Sequence, residues 1–414
     1  MPEPAGVAVR RIAAGALGRV LRRGAYSNRV LERSGSGLDR RDRALAQRLL
    51  YTALRHLTRI DRALQAGSTR PLGAIDPPVL DVLRIAAGEL LALETPPHAA
   101  VAVGVTVVRS ESGERAARFA NAVLRRVAEG EEPLPDTPEG RAIRYGVPGW
   151  IRRRLAAEWG EEGADGFLAA SGDPAPIGVV LRGSAPPPGF VPIPGVPDAG
   201  YVADRADAEA AAADGGLVVD PATAAVAAAV AAQPGERILD MAAAPGGKTV
   251  LLADALHDRG IIVASDLNAS RLRRTRRRVA ALGVTPAWVV MDGRTPALRP
   301  GSFDAVLLDA PCTGLGTLRR RPEIRHRLRP EDPARMARLQ RSLLEKALEL
   351  IRPGGRVVYS ACTVFPEETS GVVAGLPAEP PPGFGGRVQG AGTLLGPDVT
   401  GTDGMFISVV GKAP

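Results

Sequence analysis

The chain has 414 residues, more than one ordinary domain holds, and 45% are hydrophobic, which suits packed cores and excludes a disordered composition. Aromatics make up only 4%, so those cores must be built from Ala, Val and Leu. The 53 basic residues against 45 acidic ones leave a formal charge of +8, which favours polyanionic partners, above all nucleic acid. Lys248, Lys346 and Lys412 are the only lysines, so the basic charge is almost all arginine.

Two cysteines, Cys312 and Cys362, exclude a disulfide scaffold and fit a reducing cytoplasm. No run approaches the ~18 apolar residues of a membrane span. The opening MPEPAGVAVRRIAAG is broken by Arg10 and Arg11 and does not read as a signal peptide. His56, His98, His257 and His326 lie too far apart for zinc-ligand spacing.

Residues 7–129 read as helices. Val9, Ile12, Ala16 and Val20 recur at helical spacing. Ser34-Gly35-Ser36-Gly37 breaks the chain, and Asp39 can cap a helix carrying Leu45, Leu49 and Leu50. Pro77-Pro78 opens another, and two more are expected around 99–108 and 115–128. An all-helical bundle over 1–130 follows. The acidic, Pro/Gly-rich stretch 130–140 reads as a linker. Residues 131–215 are expected to form that linker and a small adaptor, with a short basic helix from Trp150 to Trp159, a strand at 177–181 and proline-rich loops.

From 216 to 414 the pattern becomes alternating strand and helix. Strands are expected at 237–240, 261–265, 287–291, 303–308 and 356–360, with helices at 248–257, 269–282 and 333–351. Such alternation predicts a doubly wound, mostly parallel sheet with its ligand at the carboxyl ends of the strands. The first strand runs into ILDMAAAPGGKT, where small residues let the backbone approach a ligand and a helix N-terminus offers free N–H donors. Asp266 and Asp292 end the next two strands, and an acid there can accept hydrogen bonds from ribose hydroxyls. Together these features describe a site for an adenosine-containing cofactor. Asp309, Pro311 and Cys312 follow the fourth strand, and Cys362 follows the last, so both cysteines fall on the ligand-binding edge. Arg271, Arg273, Arg274, Arg276, Arg277 and Arg278 crowd one helix and read equally as a solvated face or as a binding surface. Arg319, Arg320 and Arg321 are candidates for phosphate contacts.

DMAAAPGGKT, DAPC and ACTVFPEE resemble the signature blocks of the RNA 5-methylcytosine methyltransferases. Within that group the chain is similar to the bacterial 16S ribosomal RNA cytosine-5 methyltransferases of the Sun/RsmB type, also called Fmu. RRRPEIR and DGMFISVV match as well, and DRRDRALAQRLLYTALRHLTRIDRAL, PPHAAV and NAVLRR resemble the NusB-like domain of that family. Two departures stand out. A cysteine usual in the family is absent from the block Ala242-Ala243-Ala244, and Ala361 stands where threonine is usual.

The resemblance implies a NusB-like bundle followed by an α/β Rossmann-like methyltransferase domain using S-adenosylmethionine. It implies Cys362 as the nucleophile on carbon 6 of the cytosine and Cys312 as the aid to product release. Cofactor contacts are implied at Ala242, Ala243, Ala244, Pro245, Gly246, Gly247, Lys248, Asp266, Asp292 and Asp309. The expected partner is RNA, 16S ribosomal RNA first, with no membrane and a monomeric state. A transfer RNA substrate leaves the same catalytic motifs. A non-catalytic assembly factor is disfavoured by the intact Cys312, Cys362, Asp309 and Lys248. A DNA methyltransferase is disfavoured by the additional Cys362.

Overall fold

The computed structural model describes residues 6–93, 95–257 and 259–411; Lys412 lies outside them. The chain divides into two compact units, Met1–Gly172 with Arg320–Leu328, and Asp173–Arg319 with Arg329–Pro414. The stretch expected as one adaptor is therefore shared between them.

The first unit is helical: α1 (Val7–Arg23), α2 (Ser27–Ser34), α3 (Arg40–Arg55), α4 (Leu57–Gly67), α5 (Pro77–Ala92), α6 (Pro97–Ala128), α7 (Pro138–Arg144) and α8 (Gly149–Ala170). Its core is aliphatic, around Leu17, Leu49, Leu50, Leu54, Ile60, Leu64, Leu83 and Leu124. The Asp39 carboxylate accepts the Asp42 N–H at 2.7 Å and caps α3. Gly113, at φ 82, interrupts α6 where two helices are expected from the sequence. Two buried acids of α5 hold α1: Asp81 meets Arg22, and Glu89 meets Arg10, each at 2.6 Å. The sequence reading has no counterpart for α2, although Gly24, at φ 63, closes α1 before it, or for the division between α3 and α4 at His56, a break that carries neither glycine nor proline.

The segment Arg320–Leu328 belongs to this unit although it follows the Cys312 block in sequence. Glu323, 1% exposed, accepts from the Ser27 hydroxyl at 2.9 Å. Arg325 donates to the carbonyls of Arg55 (3.1 Å) and Tyr145 (3.0 Å), and His326 Nε2 lies 2.6 Å from the carbonyl of Leu54. The contacts of Arg325 and His326 satisfy carbonyls orphaned at the ends of α3 and α7. Burial holds the pKa of His326 at about 4, and burial together with Arg325 does the same for His56. Both are depressed below the ordinary 6.5, so the stability they contribute is present above pH 6.5 and is lost as pH falls through 4. Each contributes up to about 3 kcal/mol. Urea unfolding at pH 7 and pH 4.5 should show the midpoint falling at the lower pH, and less so in His326→Gln. A midpoint that does not move between those values contradicts this reading.

The second unit opens with β1 (Ile177–Val180), β2 (Val191–Pro192) and β3 (Ala199–Val202), a small antiparallel sheet in the order β1-β3-β2, followed by α9 (Arg205–Ala213) and α10 (Ala222–Ala229). The main sheet then forms from β4 (Arg237–Asp240), α11 (Gly247–Leu256), β5 (Ile261–Asp266), α12 (Ala269–Ala280), β6 (Ala287–Val290), β7 (Phe303–Asp309), α13 (Asp332–Leu350) and β8 (Ile351–Ala361). After α14 (Ser370–Val373) come β9 (Ala378–Glu379), β10 (Arg387–Gln389), β11 (Gly392–Leu395) and β12 (Met405–Gly411). The order is β10-β11-β12-β8-β7-β4-β5-β6, with β9 on β12.

The five strands from β6 to β8 are parallel, as the strand–helix alternation predicts. The strands beyond β8 are antiparallel, which makes the sheet mixed. That half eludes periodicity because Met405, Phe406 and Ile407 are consecutively buried, and a strand covered on both faces does not alternate. Among the described residues no helix is long and apolar enough to cross a membrane.

Candidate active site

The turn between β4 and α11 follows from its small residues. Gly246 has φ 99, a left-handed conformation that side chains resist. A Cβ there would lie 2.5 Å from Val279 Cγ2 and 2.9 Å from Thr275 Cγ2, both on the buried face of α12. The turn backbone thus rests directly on α12. Ala242, Ala243, Ala244, Pro245, Gly246, Gly247, Lys248 and Asp309 line one recess, with Val219, Thr223, Asp240 and Arg278.

Two of the expected residues are not among those lining it. Asp266 is buried at the end of β5, accepting the Asn268 N–H at 2.8 Å, with Arg271 3.6 Å away. Asp292, just beyond β6, is gripped by the Arg294 guanidinium at 2.6 Å, which holds its pKa down to about 2. Both still stand at the carboxyl ends of parallel strands, Asp266 on β5 beside β4 and Asp292 just past β6, the next strand out.

At the floor of the recess Lys248 Nζ donates to Asp309 Oδ2 at 2.7 Å, and the Ser360 hydroxyl donates to Asp309 Oδ1 at 3.0 Å. Burial pushes the Lys248 ammonium down, but Asp309, with Cys362 and Asp240, more than offsets it and leaves its pKa raised. Asp240, fully buried, has its pKa raised by desolvation to about 6, opposed by the Thr249 hydroxyl at 2.6 Å.

Strands β7 and β8 are neighbours, with Asp309 in register with Ser360. Their ends bring Cys312 Sγ within 3.2 Å of Cys362 Sγ. They are not joined in a disulfide, which is ~2.05 Å long. The hydrogen bond to Cys362, with burial, pushes the Cys312 thiol well above its ordinary pKa. One sulfur is thereby kept protonated beside the other near neutrality.

Residues 227–378 match the 16S rRNA methyltransferase RsmB/F family, and residues 7–129 match the NusB family. Ribosomal RNA small subunit methyltransferase B of Thermus thermophilus is 36% identical, with 93% of each chain aligned. The chain belongs to the RsmB/F family. A putative methyltransferase of Mycobacterium tuberculosis is 35% identical over 97% of this chain and 96% of that one. The crystal structure of PH0851 shares the fold over the full length of both chains, with a TM-score of 0.81 at 23% identity.

As an RsmB/F member the protein is an S-adenosylmethionine-dependent methyltransferase, and the residues present fit that cofactor. The glycine turn has bare backbone held flush on α12, and acids stand at the carboxyl ends of β5 and β6. Ala361, the departure beside Cys362, is fully buried on β8 opposite Phe406. Arg319, read from the sequence as a phosphate contact, is buried, and its guanidinium donates to the Gly401 carbonyl at 2.7 Å. It is a structural residue.

This RsmB/F site also contains groups to which the sequence reading assigns no role. Asp240 and Thr249 flank the glycine turn within the motif itself. Glu368, the last residue of ACTVFPEE, is fully buried and joins the two cysteine loops. It accepts from the Thr313 N–H (2.8 Å), the Thr363 hydroxyl (3.1 Å), Gln340 Nε2 (3.0 Å) and the Thr313 hydroxyl. Gln340 lies mid-helix and carries no sequence signal for this role. Glu368→Ala leaves these donors unpartnered in the interior and should cost about 3 kcal/mol. A urea midpoint equal to that of the wild type would refute the clamp.

Proposed function

We propose that this enzyme methylates carbon 5 of a cytosine in 16S ribosomal RNA through a covalent Cys362–carbon 6 adduct, as a cytoplasmic monomer. The observation that carries the proposal is the approach of two cysteine sulfurs to 3.2 Å, at adjoining strand ends beside the Lys248–Asp309 pair. Carbon 5 of cytosine is a poor nucleophile. Addition of the Cys362 thiolate to carbon 6 moves electron density to carbon 5 and divides one hard step into two easier ones. S-adenosylmethionine, when bound, supplies a methyl group on a sulfonium centre. Loss of the carbon 5 proton to solvent water then restores the 5,6 double bond and expels the Cys362 thiolate. Cys312, kept as a thiol, has a proton to offer the departing sulfur. Asp309, anchored by Lys248 and Ser360, is available to hold the cytosine ring. The base must leave its stack to reach these groups.

Membership of the RsmB/F family and the NusB match support 16S ribosomal RNA over transfer RNA. The test is to incubate the full chain with 16S ribosomal RNA and methyl-labelled S-adenosylmethionine, then digest the RNA to nucleosides for mass spectrometry. Labelled 5-methylcytidine is expected. Label on a ribose, on another base, or on exocyclic nitrogen overturns the proposal.

A further inference from the structure

Helix α12 stands out by its charge. Its sequence, ASRLRRTRRRVA, holds six arginines and no acid in 12 residues, whereas Lys and Arg together make up 53 of the chain's 414 residues. Leu272, Thr275 and Val279 are buried, and Arg271, Arg273, Arg274, Arg276, Arg277 and Arg278 are all exposed. Elsewhere many arginines are paired with carboxylates, as in Arg10–Glu89, Arg152–Asp165, Arg182–Asp254 and Arg356–Glu236. On α12 only Arg271 approaches an acid, Asp266 at 3.6 Å; the other five make no ion pair among the described residues.

Arginine-rich composition alone does not account for this. Like charges three and four positions apart, such as Arg273 with Arg276 and Arg277, destabilise a helix. Folding gains nothing from that repulsion, and a bound polyanion removes it. Location supplies the second argument. The buried face of α12 rests on Gly246 of the cofactor turn. At its N-terminal end Arg271 donates to the Ala244 carbonyl at 3.1 Å, and two turns on Arg278 lines the recess.

We propose that the outer face of α12, centred on Arg273, Arg274, Arg276 and Arg277, is a track for the RNA phosphate backbone that seats the substrate strand beside the cofactor recess. The inference rests on the proposed RNA methyl transfer and extends it to a binding surface outside the catalytic motifs. Phosphate contacts of this kind position the strand without reading its sequence.

The experiment uses the full chain with all four arginines changed together, Arg273→Gln, Arg274→Gln, Arg276→Gln and Arg277→Gln, and a second protein with the same four changed to Lys. Binding to transcribed 16S ribosomal RNA is followed across a salt series, alongside methyl-transfer kinetics and calorimetry with S-adenosylmethionine. The Gln protein should bind RNA at least about tenfold more weakly, with a log–log salt slope shallower by about 3, since each lost phosphate contact removes ~0.7–0.9. Its KM for RNA should rise while kcat at saturating RNA and cofactor affinity stay at wild-type values. The Lys protein should recover most of the binding. Wild-type affinity and salt slope in the Gln protein overturn the inference, and so does equal weakening by Lys and Gln. A wild type that neither binds nor methylates the RNA overturns the underlying function as well, which separates the two failures.

Discussion

Cys362→Ala should lower methyl transfer by at least about 10⁴-fold, a loss of ~5.5 kcal/mol of transition-state stabilisation at ~1.4 kcal/mol per factor of ten. The proposed chemistry allows no milder result. Without a sulfur on carbon 6, carbon 5 does not attack, and no other thiol can take its place except Cys312, whose pKa is pushed up by burial and by its hydrogen bond to Cys362. Removing Cys362 also removes that hydrogen bond. The variant should therefore be assayed across pH 7 to 9, where a partial return of activity at high pH would expose Cys312 as a substitute nucleophile. Cofactor affinity should be unchanged, because the recess is lined by the glycine turn, Lys248 and Asp309 and not by Cys362. Retention of more than about a tenth of wild-type activity at pH 7 would contradict the covalent route.

Cys312→Ala should act at a different stage. Its sulfur lies 3.2 Å from that of Cys362, close enough to serve the bond that must break. Turnover should fall about 10²–10³-fold, the range of a lost acid–base group, while adduct formation through Cys362 persists. On a denaturing gel the variant should then carry RNA as a slow-migrating band that depends on cofactor and is absent from the double variant with Cys362→Ala. Loss of turnover without any adduct would place Cys312 before bond formation and refute its assignment to release.

The five parallel strands were legible in the sequence because each is a short apolar run and three of them, β4, β5 and β7, lead to a helical period, and both strand-end cysteines follow from those strands. The recess was legible through ILDMAAAPGGKT, since the small residues there have a mechanical reason to exist: Gly246 leaves no room for a Cβ. Other features are set by tertiary contact and leave no local trace. Glu368 reads as one acid among several until burial and its four donors are seen. The antiparallel strands after β8 are short or uniformly buried, so alternation fails.

RRRPEIR misleads for a related reason. Its basic residues suggest a surface, yet Arg319 and Arg325 are buried on backbone carbonyls, and residues 320–328 fold with the helical unit. A fragment of residues 216–414, or a deletion of 1–130, would strip Glu323 and Arg325 of Ser27 and Arg55. The segment 320–328 would lose the helices it folds with, so neither piece keeps its native surroundings. Assays of function therefore belong on the full chain.

The most direct measurement is to capture the adduct and locate its attachment. Full-length enzyme is incubated with S-adenosylmethionine and 16S ribosomal RNA transcribed with 5-fluorocytidine, in which carbon 5 cannot release a proton after methylation. The complex is digested with protease and nuclease, and the linked peptide is sequenced. A methylated fluorocytidine joined to Cys362 is the predicted product. Attachment at Cys312, or an RNA that is methylated without any covalent link to the protein, contradicts the account.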